Sequence, residues 1–226
     1  MCPRSRASSR QPEIAVRVLA IDTALGLCSA AVTDGDAVLA SCTEAMQQGH
    51  QERLAPMVAE VMAESGLDFD DLARIAVTVG PGSFTGLRVG LSFAKGVGFA
   101  RDIPVLGFDS LEAIAASAPR EGRGLVIVDA RRGQVYARRF DGKNPTGPSQ
   151  AVRIEDLGVG TMVDWVDGPG SVLAAGLFPN ARIEARAASD PAALARLAMA
   201  ADAGDHLPEP IYLRAPDAKL PGGIDP

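Results

Sequence analysis

Two short segments carry the residues best able to do chemistry. Asp22-Thr23 closes the apolar run Val16–Ile21, and Gly80-Pro81-Gly82-Ser83-Phe84-Thr85-Gly86 follows the β-branched run Ile75–Val79. The glycine turn opens a helix-like stretch rich in Gly, Ala and Ser. Backbone N–H groups at a helix N-terminus attract anions, so phosphate is the first ligand to test. A P-loop requires Lys and Ser/Thr directly after its last glycine, and here Gly86 is followed by Leu87 and Arg88. The dinucleotide fingerprint requires a third glycine where Thr85 stands, and no strand-end acid follows at the usual distance to hold a ribose. Walker chemistry and nicotinamide cofactors are thereby set aside. Two readings of the turn stay open: Ser83 caps the helix and the glycines satisfy turn geometry, with Gly82 the candidate for φ > 0, or the loop receives a ligand.

The other chemically able residues are sparse. His50 and His206 are the only histidines, far apart and without a second His at i+4, so no metal site is expected and His50 reads as a residue capping or abutting a helix start. Neither histidine lies in a Ser-His-Asp context, which argues against a peptidase. Cys2, Cys28 and Cys42 are an odd number without metal-type spacing. They read as reduced thiols, with Cys28 buried and inert in a strand-like run. Asp22-Thr23 by itself is an Asx-type turn closing a strand.

A chain of 226 residues with 47% hydrophobic content is ample for one large domain or two small lobes. Its net charge of −6 argues against broad, unaided nucleic-acid binding, which needs a basic surface to displace counterions. No run approaches the roughly 18 apolar residues that span a bilayer. The basic, Ser-rich residues 1–13 lack a following apolar segment long enough for secretion, and they read as a disordered tail on a cytoplasmic protein.

The elements that must position these residues follow from periodicity. Val16–Ile21, Leu27–Val32 and Ala37–Thr43 are β-type runs, and the Asp34-Gly35 turn predicts an antiparallel meander. Gln51–Ser65 predicts a helix with Leu54, Met57, Val58, Val61 and Met62 on one face, and Pro56 within it predicts a late start or a kink. Then come a strand at Ile75–Val79, a helix at Phe84–Ala100, a strand at Val105–Phe108 and a helix at Ser110–Ser117. The order β-β-β-α-β-α-β-α implies a mixed sheet with helices packed on it. Residues 118–124 form a boundary. Beyond it Leu125–Asp129 and Gln134–Asp141 form a second strand pair around the turn Arg131-Arg132-Gly133, and Gly142–Ser149 is a loop. A further helix covers Pro191–Ala203, capped by Asp190 with Pro191 at its first position. The expected organisation is a disordered tail at 1–13, a lobe at 14–118, a smaller lobe at 124–214 and a disordered tail at 215–226.

Within the second helix Gly86, Gly90, Ala94 and Gly98 share one line, leaving a stripe almost without side chains. Glycine costs a helix interior about 1 kcal/mol relative to alanine, so the stripe has a packing reason. Either it packs against the protein's own sheet or first helix, or it admits a helix from another molecule. Met57 and Met62 beside it suit an adaptable contact.

Several blocks resemble one family. Ala20-Ile21-Asp22-Thr23-Ala24, Gly49-His50-Gln51-Glu52, Val79 through Gly90, Asp129 through Tyr136 and Pro210-Ile211-Tyr212-Leu213-Arg214 together look like the TsaB (YeaZ) family of bacterial tRNA threonylcarbamoyladenosine biosynthesis subunits, from about Val18 to Arg214. The resemblance implies a two-lobed α/β fold of the actin, sugar kinase and Hsp70 superfamily. It also implies a noncatalytic scaffold that activates a TsaD-type transferase, with a TsaE-type ATPase joining the pair and tRNA met indirectly through the complex. In that family the helices bearing Leu54, Met57, Val58, Val61, Met62, Gly86, Gly90, Ala94 and Gly98 pair with their counterparts on the partner, and the free protein uses the same face for a homodimer. Asp22, Thr23, Gly80, Gly82 and Ser83 would form a vestigial or shared crevice for ATP, with no cofactor required by the chain itself. Kinases of the superfamily place an Asp after the first strand near magnesium and phosphates, so the alternative is an ATP-dependent small-molecule kinase. Against it, Ala130-Arg131-Arg132 stands where a phosphate-binding Gly-Thr turn would be, and no glycine-rich adenosine loop is recognisable. Arg131 and Arg132 read as solvated turn charges, with anion or tRNA contact as the other possibility.

Overall fold

The computed structural model describes residues 16–158 and 162–214. The tails expected at 1–13 and 215–226 lie outside these residues.

The first three β-type runs form the expected meander: β1 (Arg17–Asp22), β2 (Leu27–Asp34) and β3 (Ala37–Ala45), paired antiparallel. Helix α1 (His50–Ser65) leads to β4 (Arg74–Gly80), α2 (Phe84–Arg101), β5 (Val105–Asp109) and α3 (Ser110–Ala116). β4 and β5 join in parallel, giving the order β3-β2-β1-β4-β5. The second sheet contains β6 (Arg123–Arg131), β7 (Gln134–Asp141), β8 (Asn144–Pro145), β9 (Gln150–Arg153) and β10 (Trp165–Asp167). After the one-turn helix α4 (Ser171–Ala174) it is completed by β11 (Arg182–Ile183). Its order β11-β10-β6-β7, with β8 and β9 both pairing β7, repeats the first sheet: an antiparallel hairpin continued by parallel strands beside its first member. The predicted loop at Gly142–Ser149 therefore contains the short β8.

The alternation of β1 assigns its two faces. Leu19 and Ile21 face the core shared with α1 and α2, where Leu54, Met57, Val58, Val61 and Met62 are buried. Val18 and Ala20 face the opposite core with Phe108 and Leu194. Because both faces are covered, β1 reads as a continuous apolar run. Helix α1 begins at His50, ahead of Pro56, so the expected late start does not occur. Pro56 lies on the exposed side, where the carbonyl left without its helical N–H is open to water.

The helix capped by Asp190 is α5 (Pro191–Ala200), and Asp190 accepts a hydrogen bond from the Ala192 N–H at 2.9 Å. It does not pack with the second sheet, as the division at 124–214 expects. Leu194, Ala195 and Ala198 close the open face of the first sheet against Val18, Ala20 and Ala76. A two-faced sheet with helices on one side only would leave that row exposed, and the returning chain supplies the cover. The following strap stays with the first lobe: the Gly107 N–H donates to His206 O at 2.9 Å and the Ile211 N–H to Val79 O at 2.7 Å. Helix α3 lies between the lobes, burying Leu111, Ile114 and Ala115 against Val126, Val128, Phe140 and Trp165. Among the described residues no helix is long and apolar enough to cross a membrane.

Candidate functional site: the interlobe cleft and the groove beside it

A cleft of about 680 Å³ opens between the lobes. The β1–β2 turn supplies Ala24 and Leu25, the β4–α2 turn Gly82, Ser83 and Phe84, the end of β6 Asp129 and Arg131, and the strap Ile211 through Arg214. The glycine turn is shaped by contact with the first turn. The Ser83 N–H donates to Ala24 O at 2.7 Å, and a Cβ on Gly82 would run into the same carbonyl. The positive φ expected at Gly82 is found instead at Gly80, at 107°. Gly82 is required by close approach and Gly80 by conformation. Ser83 caps α2 as expected, its hydroxyl accepting from the Gly86 N–H at 3.3 Å.

Of the five residues expected to form a crevice, only Gly82 and Ser83 line the cleft. Asp22 lies beneath it, 1% exposed, with both carboxylate oxygens occupied. Oδ1 accepts from the Ala24 N–H at 2.9 Å and the Thr78 hydroxyl at 2.7 Å, and Oδ2 accepts from the Ser189 hydroxyl at 2.5 Å. Thr23 is equally buried and donates to the Gly86 carbonyl at 2.8 Å. Gly80 is buried under Leu87 and the Ile211 carbonyl. Asp22 thus acts as a buried hub joining β1, β4 and the returning chain, with three internal donors on its two oxygens.

The nine residues expected at a partner interface are all buried in the first lobe, and of them only Leu54 also reaches the floor of the groove between α1 and α2. Leu54, Met57, Val58, Val61 and Met62 belong to the first lobe's core. A Cβ on Gly86 would strike the Thr23 carbonyl, one on Gly90 the Thr23 hydroxyl, and one on Gly98 the Val105 side chain. Ala94 is fully buried in the same core. The stripe therefore admits the protein's own β1–β2 turn and β5, and the outward faces of the two helices consist of other residues. Gln51, Ala55, Thr85, Arg88, Val89, Ser92 and Phe93 line a groove of about 510 Å³ between α1 and α2. On α1 the exposed positions Ala55, Ala59 and Ala63 are small, leaving that flank low enough for a helix to approach.

A ridge absent from the sequence reading separates groove from cleft. The Phe84 and Tyr212 rings lie 5.4 Å apart, the Arg88 guanidinium sits 3.8 Å from the Phe84 ring centre, and Arg88 Nε donates to the Tyr212 hydroxyl at 3.2 Å. Phe84 and Arg88 are four apart at the start of a helix, a spacing that brings side chains together. Tyr212 comes from the strap, and nothing local marks it as their neighbour.

The remaining candidates fall into structural roles. Arg131 and Arg132 take positive φ, 67° and 55°, in the β6–β7 turn, where the Asp129 carboxylate accepts from the Arg131 N–H at 2.7 Å. Arg131 lines the cleft, and the Arg214 guanidinium reaches the Ala130 carbonyl, pinning the strap to the second lobe. His50 is buried at the start of α1 and His206 stacks on Phe108 with ring centres 4.5 Å apart, so the two occupy separate environments. Among the described residues no three His, Cys, Asp or Glu side chains gather at metal-ligand spacing. Burial pushes the Cys28 thiol up to about 11, which keeps it protonated and unreactive at neutral pH.

Two sheets of matching strand order, with a cleft between them and helices on their outer faces, define a two-lobed actin-like α/β protein. Residues 39–152 match the family model described as TsaD, tRNA N6-adenosine threonylcarbamoyltransferase. An uncharacterized protein of Mycobacterium tuberculosis is 38% identical over 210 residues, covering 89% of this chain and 93% of that protein. The tRNA threonylcarbamoyladenosine biosynthesis protein TsaB of Escherichia coli is 37% identical over 124 residues, 54% of this chain and 53% of that one. Its Bacillus subtilis counterpart is 37% identical over 145 residues, 62% and 63% of the two chains. YeaZ from Pseudomonas aeruginosa superposes with a TM-score of 0.76 at 27% identity, covering 88% of this chain and all of that one. The chain belongs to the TsaB (YeaZ) family.

Proposed function

We propose that this chain is a cytoplasmic, noncatalytic subunit that binds and activates a TsaD-type transferase for threonylcarbamoyl modification of the adenosine beside the anticodon in tRNA. The observation that carries the noncatalytic part is the state of Asp22. The one carboxylate placed as a kinase of the superfamily would place it has every oxygen committed to an internal donor. A general base or metal ligand must be open to substrate or metal, and Asp22 is 1% exposed beneath the cleft. Kinship to the family of TsaD and TsaB supports the pathway, since the relatives' names state it.

The groove between α1 and α2 is the partner-binding face in this reading. Its floor carries Leu54 and its walls Ala55, Val89 and Phe93, with Arg88 and Gln51 at the edges. An apolar centre with a polar rim is the anatomy of a protein interface. A partner helix laid into the groove would meet small side chains on α1 and apolar ones on α2. Free chains would pair through the same face, and a TsaE-type ATPase would join the heterodimer and bring the nucleotide chemistry. Contact with tRNA is made through the assembly, consistent with the net charge of −6.

The test is calorimetric titration of the purified chain with the TsaD-type subunit of the same cell, alongside an ATP turnover assay of the chain alone. Tight association without turnover supports the proposal. Robust turnover by the isolated chain, abolished by Asp22→Ala, would replace it with the kinase.

A further inference from the structure

Five of the described strands end in an aspartate, and three of these, Asp22, Asp109 and Asp167, bind either the opposite lobe or a segment that crosses between the lobes. Asp22 ends β1 and binds the Ser189 hydroxyl, from the segment that returns out of the second lobe, at 2.5 Å. Asp109 ends β5 and binds the Ser149 hydroxyl, in the loop before β9 of the second sheet, at 2.6 Å, while its other oxygen accepts from the Leu111 N–H at 2.8 Å. Arg138 of β7 reaches the same carboxylate at 3.5 Å and Glu112 of α3 at 2.9 Å. Asp167 ends β10, is fully buried, and pairs with the equally buried Arg120 from the first crossing between the lobes. It also accepts from the Arg186 N–H, in the return crossing, at 3.1 Å.

The two crossings are further fastened to each other. The Asp190 N–H donates to the Ser117 hydroxyl at 2.7 Å, and Ser117 donates to Ala113 O at 2.7 Å. Domains that close on a ligand do so about a few linker residues that absorb large backbone rotations. Here those linkers hold one another through part-buried polar contacts, and Arg120 in the first is paired with the buried Asp167. Rotating them would leave a buried charge without its partner in a low-dielectric interior. Helix α3, wedged into the core between the lobes, opposes the same motion.

We propose that the strand-end carboxylates Asp22, Asp109 and Asp167 lock the two lobes at one fixed opening, so that the cleft keeps a constant width and does not close on a ligand. The protein then presents its cleft rim and its helix groove as one rigid surface, whatever nucleotide is present.

The lock is tested by pulsed electron paramagnetic resonance on the full chain, with spin labels at the exposed positions Gln48 and Lys143, one on each lobe, and Cys2 and Cys42 replaced by serine. Buried Cys28 stays in place. The expected result is a single narrow distance distribution that is unchanged by millimolar Mg-ATP. The Ser149→Ala/Ser189→Ala double variant removes two hydroxyls without adding bulk, and its distribution is expected to broaden while the chain stays folded by circular dichroism. A shift of more than about 2 Å on adding Mg-ATP, or two distances in the parent chain, overturns the proposal. So does a double variant whose distribution is as narrow as the parent's, because the hydroxyl contacts of Asp22 and Asp109 would then not be part of what holds the lobes.

Discussion

Thr23 donates its hydroxyl proton to the carbonyl oxygen of Gly86 at 2.8 Å. The same threonine lies where a Cβ on Gly86 or Gly90 would go. The small-residue line of α2 is therefore an inward feature, the seat for the turn after β1, and its glycines are held by contacts within one lobe.

Gly90→Leu is expected to destabilise the free chain. Replacing a helical glycine ordinarily gains up to about 1 kcal/mol in propensity, but overpacking against Thr23 and Val77 costs typically 1–3 kcal/mol and outweighs it. For a chain of this size each kcal/mol lowers Tm by about 2–4 °C. A thermal melt at low protein concentration checks this. A parent-like Tm with weakened partner binding would put Gly90 back on an outward face.

Asp22→Ala is expected to cost stability first. It strips the acceptor from the Ala24 N–H and from the buried Thr78 and Ser189 hydroxyls, and each unsatisfied buried donor costs about 1–3 kcal/mol. Asp22→Asn, which keeps the shape, should recover part of the loss. Urea unfolding of both variants decides the matter, and a stable Asp22→Ala chain would contradict the hub role.

Ala55→Arg and Ser92→Arg change exposed residues on the two walls of the groove. Surface changes of this kind move stability by no more than about 0.5 kcal/mol. Affinity for the TsaD-type subunit should nonetheless fall at least about tenfold, or 1.4 kcal/mol, because a buried guanidinium finds no partner in an apolar groove. Unchanged affinity in both variants would remove the groove from the interface.

Acid should loosen the second lobe through Glu184. Hydrogen bonds from Arg120 hold its carboxyl below the ordinary 4.5, with burial opposing and Arg182 and Arg186 assisting. A depressed folded value means the stabilisation is present above the unfolded value and is lost as pH falls through the folded one. Glu184→Gln should therefore weaken the chain at neutral pH and flatten its acid limb. Denaturant midpoints measured at neutral pH and below the carboxylate range check this, and parallel curves for parent and variant would refute it.

Much of the fold was legible because it rests on short-range pattern. The apolar run of β1, the five apolar positions of α1, the Ser83 cap and the Asp190-Pro191 start of α5 each arise within a few residues, and each stands where periodicity and capping chemistry place it. The family was legible from blocks that sit on the cleft and its strap. What the sequence could not decide is which surface each pattern meets. The glycine line looks the same whether it receives a foreign helix or Thr23, since absent side chains do not name their neighbour. Asp22 reads as a turn residue or a phosphate site until Thr78 and Ser189 arrive from 56 and 167 residues away. Helix α5 follows the second sheet in the chain, yet it covers the apolar face of the first, burying Leu194, Ala195 and Ala198 there. Local chemistry determined the elements and their caps. Burial, which is a property of the whole assembled chain, determined which faces are inside, and so which residues remain to meet a partner.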